Sequence, residues 1–217
     1  MLPARITRIQ AHPDCPDIRR LWLAVDDDAF THKPGQWLDL RCPGVERLGG
    51  FSIVSPPTAD GSIELCVKFS PTSPAAAWLV RDALVGDVVD VAVGGTVFWD
   101  AAVDGDDLLL VAGGMGLNPL FSIAQAAVAA GRRVHLLCAS KRDQVLFSDE
   151  IDALVASSDG AFTVQRLVDR RVTVDDVRPL GDRLVFVCGP PGFADAVTAF
   201  ADALGVPADR VRCERWW

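Results

Sequence analysis

Val111-Ala112-Gly113-Gly114-Met115-Gly116-Leu117-Asn118-Pro119 decides the reading of this chain. The apolar run Leu108-Leu109-Leu110 leads into it and a helix-like run leaves it. Glycine after a strand lets backbone approach a ligand closely. Pro119 suits the first turn of a helix, whose N-terminal dipole favours an anion. By itself the stretch is either a phosphate cradle or a tight strand-to-helix turn. A second stretch, Val187-Cys188-Gly189-Pro190-Pro191-Gly192, has the same strand-to-helix form and presents Cys188 at its strand end. Open α/β sheets bind ligands at the carboxyl ends of their strands, and a helix N-terminus holds phosphate. Together the two stretches read as two sides of a nicotinamide dinucleotide cleft.

Working outward, residues 108–112, 134–138, 162–168 and 184–188 read as strands. Residues 119–130, a segment capped by Ser148 and running to about 156, and residues 192–204 read as helices, with a last edge strand over 211–213. Strand and helix alternating in this way imply a parallel sheet covered on both faces. The first hundred residues differ. Short runs at 5–11, 19–25, 37–41, 51–54, 62–68 and 88–93, broken by Pro, Gly and Asp, have the pattern of a barrel or sandwich. One helix interrupts them, capped by Ser73, started by Pro74 and stopped at Gly86. The acidic stretch 100–107 reads as a linker, which gives domains of 1–101 and 102–217.

Bulk properties narrow the function classes. A chain of 217 residues, 50% hydrophobic and 23% charged, has material for one or two cores. Its net charge of −8 argues against nucleic acid and anionic membranes as partners. No apolar run reaches the roughly 18 residues of a membrane span, and residues 1–10 lack the apolar core of a signal peptide. The six cysteines are scattered, with no C-x-x-C pair and no iron–sulfur spacing. Most sit in apolar strand-like runs, where a thiol acts as a small hydrophobe. The cytoplasm is the default compartment, and three isolated histidines make no metal site.

In the first domain, Lys33-Pro34-Gly35-Gln36-Trp37 is a turn feeding a strand. Gly49-Gly50-Phe51-Ser52-Ile53-Val54 offers an aromatic ring beside a hydroxyl. Taken singly, Phe51 reads as core packing, Ser52 as a solvated strand position and Cys188 as a buried thiol.

Taken in order, these motifs resemble the ferredoxin–NADP reductase family of flavin-dependent reductases over nearly the whole chain. Pro34-Gly35-Gln36-Trp37 resembles its P-G-Q-aromatic turn, and Phe51-Ser52 the end of its R-x-Y-S flavin motif. Pro74-Ala75-Ala76-Ala77-Trp78-Leu79 resembles its flavin-pyrophosphate helix. Gly114-x-Gly116-x-x-Pro119 and Cys188-Gly189-Pro190 resemble its nicotinamide motifs. Glu214-Arg215-Trp216-Trp217 resembles its acidic-x-aromatic ending.

The resemblance implies a six-stranded antiparallel flavin-binding barrel followed by a five-stranded parallel sheet of order 3-2-1-4-5. It implies hydride transfer from NADH or NADPH to a flavin (FAD, with FMN the other option), and electrons passed to a separate acceptor, a small protein or small molecule. Ser52, Cys188 and Glu214 would be the catalytic residues. Phe51, Ser52, Ile53, Val54, Lys68, Pro74, Ala75, Ala76, Ala77 and Trp216 would hold the flavin. Gly113, Gly114, Gly116, Pro119, Asp169, Arg170, Cys188, Gly189 and Pro190 would hold the nicotinamide dinucleotide. These residues orient two rings while the cofactors carry the chemistry.

There are three departures. The motif's arginine falls on Gly49, the serine often found in the pyrophosphate helix falls on Ala76, and the chain has no tyrosine. After the third strand of the sheet stands Asp169-Arg170-Arg171, where NADP-specific relatives carry Ser-Arg, so the preference leans to NADH. The other readings are a dinucleotide-binding sensor or scaffold with weak or lost flavin binding, and an electron-transfer subunit of a larger oxidoreductase.

Overall fold

A computed structural model describes residues 1–27, 29–58, 60–105, 107–178 and 183–215. The chain forms two compact units, Met1–Phe98 and Trp99–Trp217. The division falls slightly before the 101/102 boundary expected from composition.

The first unit contains β1 (Leu2–Ala11), β2 (Ile18–Val25), β3 (Trp37–Arg41), β4 (Gly49–Ser52), β5 (Ser62–Lys68), α1 (Pro74–Arg81) and β6 (Val88–Gly94). The strands form one antiparallel sheet of order β4-β3-β6-β1-β2-β5. The two outer strands meet. Just past β4, Ile53 bridges Leu65 of β5, and the Val54 N–H donates to Glu64 O at 2.8 Å, closing the sheet towards a barrel. Alternation puts Leu21, Leu23, Leu38, Leu40, Ile63, Leu65 and Val91 inward, each fully buried. The helix α1 ends at Arg81, short of Gly86. The Gly86 N–H donates to Ile6 O of β1 at 2.8 Å, and the Asp87 carboxylate accepts from Leu84 N–H at 2.8 Å, so this backbone belongs to a turn.

The second unit contains β7 (Asp107–Gly113), α2 (Leu117–Ala129), β8 (Arg133–Ser140), α3 (Ser148–Ser157), β9 (Phe162–Val168), α4 (Val174–Val177), β10 (Leu184–Gly189), α5 (Pro191–Ala203) and β11 (Val211–Arg215). All the sheet pairings are parallel, in the order β11-β10-β7-β8-β9. Numbered from β7, that is the expected 3-2-1-4-5 order. Every residue of β10, and all of β7 after Asp107, is buried, as central parallel strands require.

Three local expectations are corrected. Ser148 does not cap α3; it is the first helical residue, and Phe147 precedes it in the left-handed region at φ 55°. The short α4 was not anticipated, although its Thr173-x-x-Asp176 capping box is written in the sequence. The stretch read as a linker is partly structural. Asp104 is 8% exposed, and its carboxylate accepts from both terminal nitrogens of Arg212 on β11, one at 2.9 Å. No helix among the described residues is long and apolar enough to cross a membrane.

Candidate functional site

In the second unit, the predicted residues gather at the carboxyl ends of the parallel strands. Cys188 of β10 is in register with Ala112 of β7 on one side and Glu214 of β11 on the other. Registered neighbours in a parallel sheet lie about 4.8 Å apart and project to the same face, so Cys188 and Glu214 share one. Cys188 is fully buried. Burial pushes the half-buried Glu214 carboxyl above its ordinary value.

The glycine-rich turn works differently from its reading in the sequence. Gly114, at φ 54°, has nothing within 4 Å of where a side chain would begin, and it lines a solvent-open hollow. Leu117, Ala139, Ser140, Gln144 and Val168 also line that hollow, so it lies over the ends of β7, β8 and β9. Gly114 is the glycine whose backbone is bare towards the hollow. Gly113 is not: a Cβ there would lie 2.9 Å from the Phe193 ring, which also closes on Gly189. Gly116 has negative φ and is not needed for the turn (φ −62°). A Cβ on it would strike the Cys188 carbonyl and lie 2.6 Å from the Gly189 N. Gly116 therefore brings the two loops into backbone contact. Pro119 is buried in the first turn of α2, and Pro190 caps α5, where Pro191 stands first.

At the rim of the hollow, Asp169 stands in the left-handed region at φ 56°. Its N–H donates to Ser140 O at 2.9 Å, and its carboxylate accepts from Arg142 N at 2.9 Å and Nε at 3.2 Å. Arg170 forms a two-pronged pair with Asp176, at 2.8 and 2.7 Å. Arg142 and Asp176 had not been singled out as site residues.

In the first unit, Phe51 and Ser52 end β4, opposite Leu38 and Trp37. Ser52 is 8% exposed, and its hydroxyl bonds to no other described residue. Ile53 and Val54 are buried where the sheet closes, and Lys68 is exposed at the end of β5. At α1 the picture changes. A Cβ on Gly49 would lie 2.5 Å from Phe51 Cε2 and 2.7 Å from Ala75 Cβ, so the ring and the helix start fill the place a longer side chain would need. Ser73 Oγ accepts from Ala76 N at 3.3 Å and Ser73 O from Ala77 N at 2.9 Å, while Pro74 has no N–H. Ser73 takes the Ala76 N–H, leaving that of Ala75 in this turn. A buried, uncommitted hydroxyl beside an aromatic suits a flavin ring; the crowded Gly49 and the capped helix suit its phosphates poorly. Trp216 and Trp217 lie outside the described residues.

Residues 110–199 match the oxidoreductase NAD-binding domain family. Over 252 aligned positions the chain is 32% identical to oxidoreductase NAD-binding domain-containing protein 1 of Danio rerio, covering 100% of this chain and 92% of that protein. The chain belongs to this family. It is also 36% identical, over 85% of its length, to the ferredoxin reductase component of 3-ketosteroid-9-alpha-monooxygenase from Mycobacterium tuberculosis, of which it spans 55%. Among solved structures, the flavohem-like FAD/NAD-binding domain of a Vibrio cholerae nitric oxide dioxygenase superposes with a TM-score of 0.86 at 19% identity, covering 99% of this chain and 98% of that domain. The fold is that of the ferredoxin reductases, with an NAD-binding domain of the oxidoreductase family.

Proposed function

We propose that this protein is an NAD(P)H-dependent flavoprotein reductase that passes electrons to a separate acceptor. The observation that carries the reading is the register of Cys188 with Glu214 beside the Gly114 turn, at the carboxyl edge of a parallel sheet. That edge is where such sheets bind dinucleotides. Gly114 and the start of α2 take the pyrophosphate. Cys188, Gly189 and Pro190 border the nicotinamide. A bound flavin, FAD in preference to FMN, supplies the hydride-accepting ring. Phe51 and Ser52 orient that ring, and the Ser52 hydroxyl donates where charge changes during transfer. Glu214, biased by burial towards its protonated form, is the proton-holding group of the constellation. The Mycobacterium relative's name, a reductase component of a monooxygenase, supports a protein acceptor.

The test is the absorbance spectrum of the purified protein before and after anaerobic NADH. A flavin band bleached by NADH is expected. No flavin released on denaturation, even after incubation with FAD or FMN, would overturn the reading.

A second reading, a dinucleotide-binding module with weak flavin affinity, is favoured by one set of contacts. Phe51 and Ala75 occupy the space at Gly49, and the Ser73 hydroxyl takes the Ala76 N–H at the start of α1. Flavin that washes out on gel filtration while NAD binding persists would support it.

A further inference from the structure

We propose that Asp176 determines the nucleotide preference of this site, by holding the Arg170 guanidinium in an internal pair so that it is withheld from a 2′-phosphate. The inference rests on the dinucleotide reading above and deepens it.

The hollow over β7, β8 and β9 ends at Val168, and the chain then reverses through Asp169. Three arginines follow or flank this point, Arg142, Arg170 and Arg171, and from composition alone the place would attract phosphate. For Arg142 and Arg170 the contacts reverse that, and Arg171 alone of the three is left without a carboxylate partner among the described residues. Both terminal nitrogens of Arg170 engage the two oxygens of Asp176. That is the fork a phosphate would need. Asp176 is itself firmly held: its side chain is 8% exposed and accepts from Thr173 N and Oγ1, each at 2.8 Å, and from Gln165 Nε2 at 3.1 Å. Buried Val172 and Val177 anchor the segment on both sides. The Arg170 pair holds the Asp176 carboxyl well below the ordinary carboxylate range. Arg142, for its part, donates to Asp169. An incoming 2′-phosphate therefore meets the Asp169 carboxylate beside two arginines that already have carboxylate partners. A free 2′-hydroxyl meets a good acceptor.

The test is calorimetric binding of NAD⁺ and NADP⁺ to the full chain, which needs no turnover. Wild type is expected to bind NAD⁺ more tightly. Asp176→Asn keeps an oxygen for Thr173 but loses the charge that holds Arg170. It should tighten NADP⁺ about tenfold relative to NAD⁺, the size of one charge-assisted contact. In Asp176→Asn/Arg170→Ala the gain should vanish, a result that loosening of α4 alone would not give. An unchanged ratio in a cooperatively folded Asp176→Asn overturns the inference and leaves the dinucleotide reading standing. Wild-type preference for NADP⁺ also overturns it, whether or not the variant folds. If neither nucleotide binds wild type, the dinucleotide reading fails and the inference falls with it.

Discussion

At the end of β7, Gly116 meets the backbone of Cys188 and Gly189; at the start of β4, Gly49 meets the tip of the Phe51 ring and the Ala75 methyl. Both glycines are filled in by protein, yet the consequences differ. Backbone against backbone cannot give way, so the loops at the carboxyl edge of the second unit's sheet are organised by the path of the chain itself, with Gly114 left bare towards the hollow. The ring of Phe51 can turn, so the space beside the start of α1 in the first unit depends on which side chains happen to stand there. The second half of the chain is therefore rigid at its proposed dinucleotide loops, and the first half is adjustable at its proposed flavin-binding turn.

Replacing Gly116 tests the rigid half most severely. Gly116→Ala should cost about 3 kcal/mol, as overpacking without room to relax does, and should abolish dinucleotide binding. Chemical denaturation and calorimetry measure both. Gly114→Ala, strained only by its positive φ, should cost about 1–2 kcal/mol. Equal losses at the two positions would break the distinction between backbone contact and bare loop.

For the flavin half, Ser52→Ala should slow flavin reduction by NADH on the order of 10²-fold, the usual cost of losing one donor aimed at developing charge. Flavin affinity should change far less. Stopped-flow reduction at saturating NADH measures the first and flavin titration the second. An unchanged rate would remove Ser52 from the chemistry.

The adjustable half predicts a smaller stability effect. Gly49→Arg should lower stability by about 1–2 kcal/mol, because Phe51 can swing aside although Ala75 cannot. Combined with Phe51→Ala it should recover stability and tighten FAD more than riboflavin, since an arginine grips phosphate. Thermal melts with each flavin measure this. Tightening of both flavins alike would mean that the space at Gly49 is unrelated to the phosphates.

The smallest effect is in pH. The folded chain holds the Glu214 proton more tightly than the unfolded chain does. This contribution to stability is therefore full below the ordinary glutamate value of 4.5 and is lost as pH rises through the raised folded value. Glu214→Gln should flatten that part of the stability–pH curve. Denaturant melts between pH 4 and 7 measure it.

Most strands were legible because burial imposes a period of two on the first unit and continuous apolar runs on the second. The paired loops were legible because glycine and proline in order have few uses. The purpose of each glycine was not, since Phe193 and Cys188 press on Gly113 and Gly116 from far along the chain. Asp104 looked like linker for the same reason: its partner, Arg212, is 108 residues away. Arg170 was legible as a cation but not as one already paired, because the partner is set by how the turn after β9 folds.

The sequence by itself determined two units, their strand and helix periods, and the residue types gathered at the sheet's carboxyl edge, because those follow from local pattern and spacing. The tertiary structure alone decided which glycine faces the hollow, which helix donors remain for an anion and which arginines already have partners. Those outcomes depend on long-range contacts, and a hydrogen-bonding group spent on one partner is withdrawn from another.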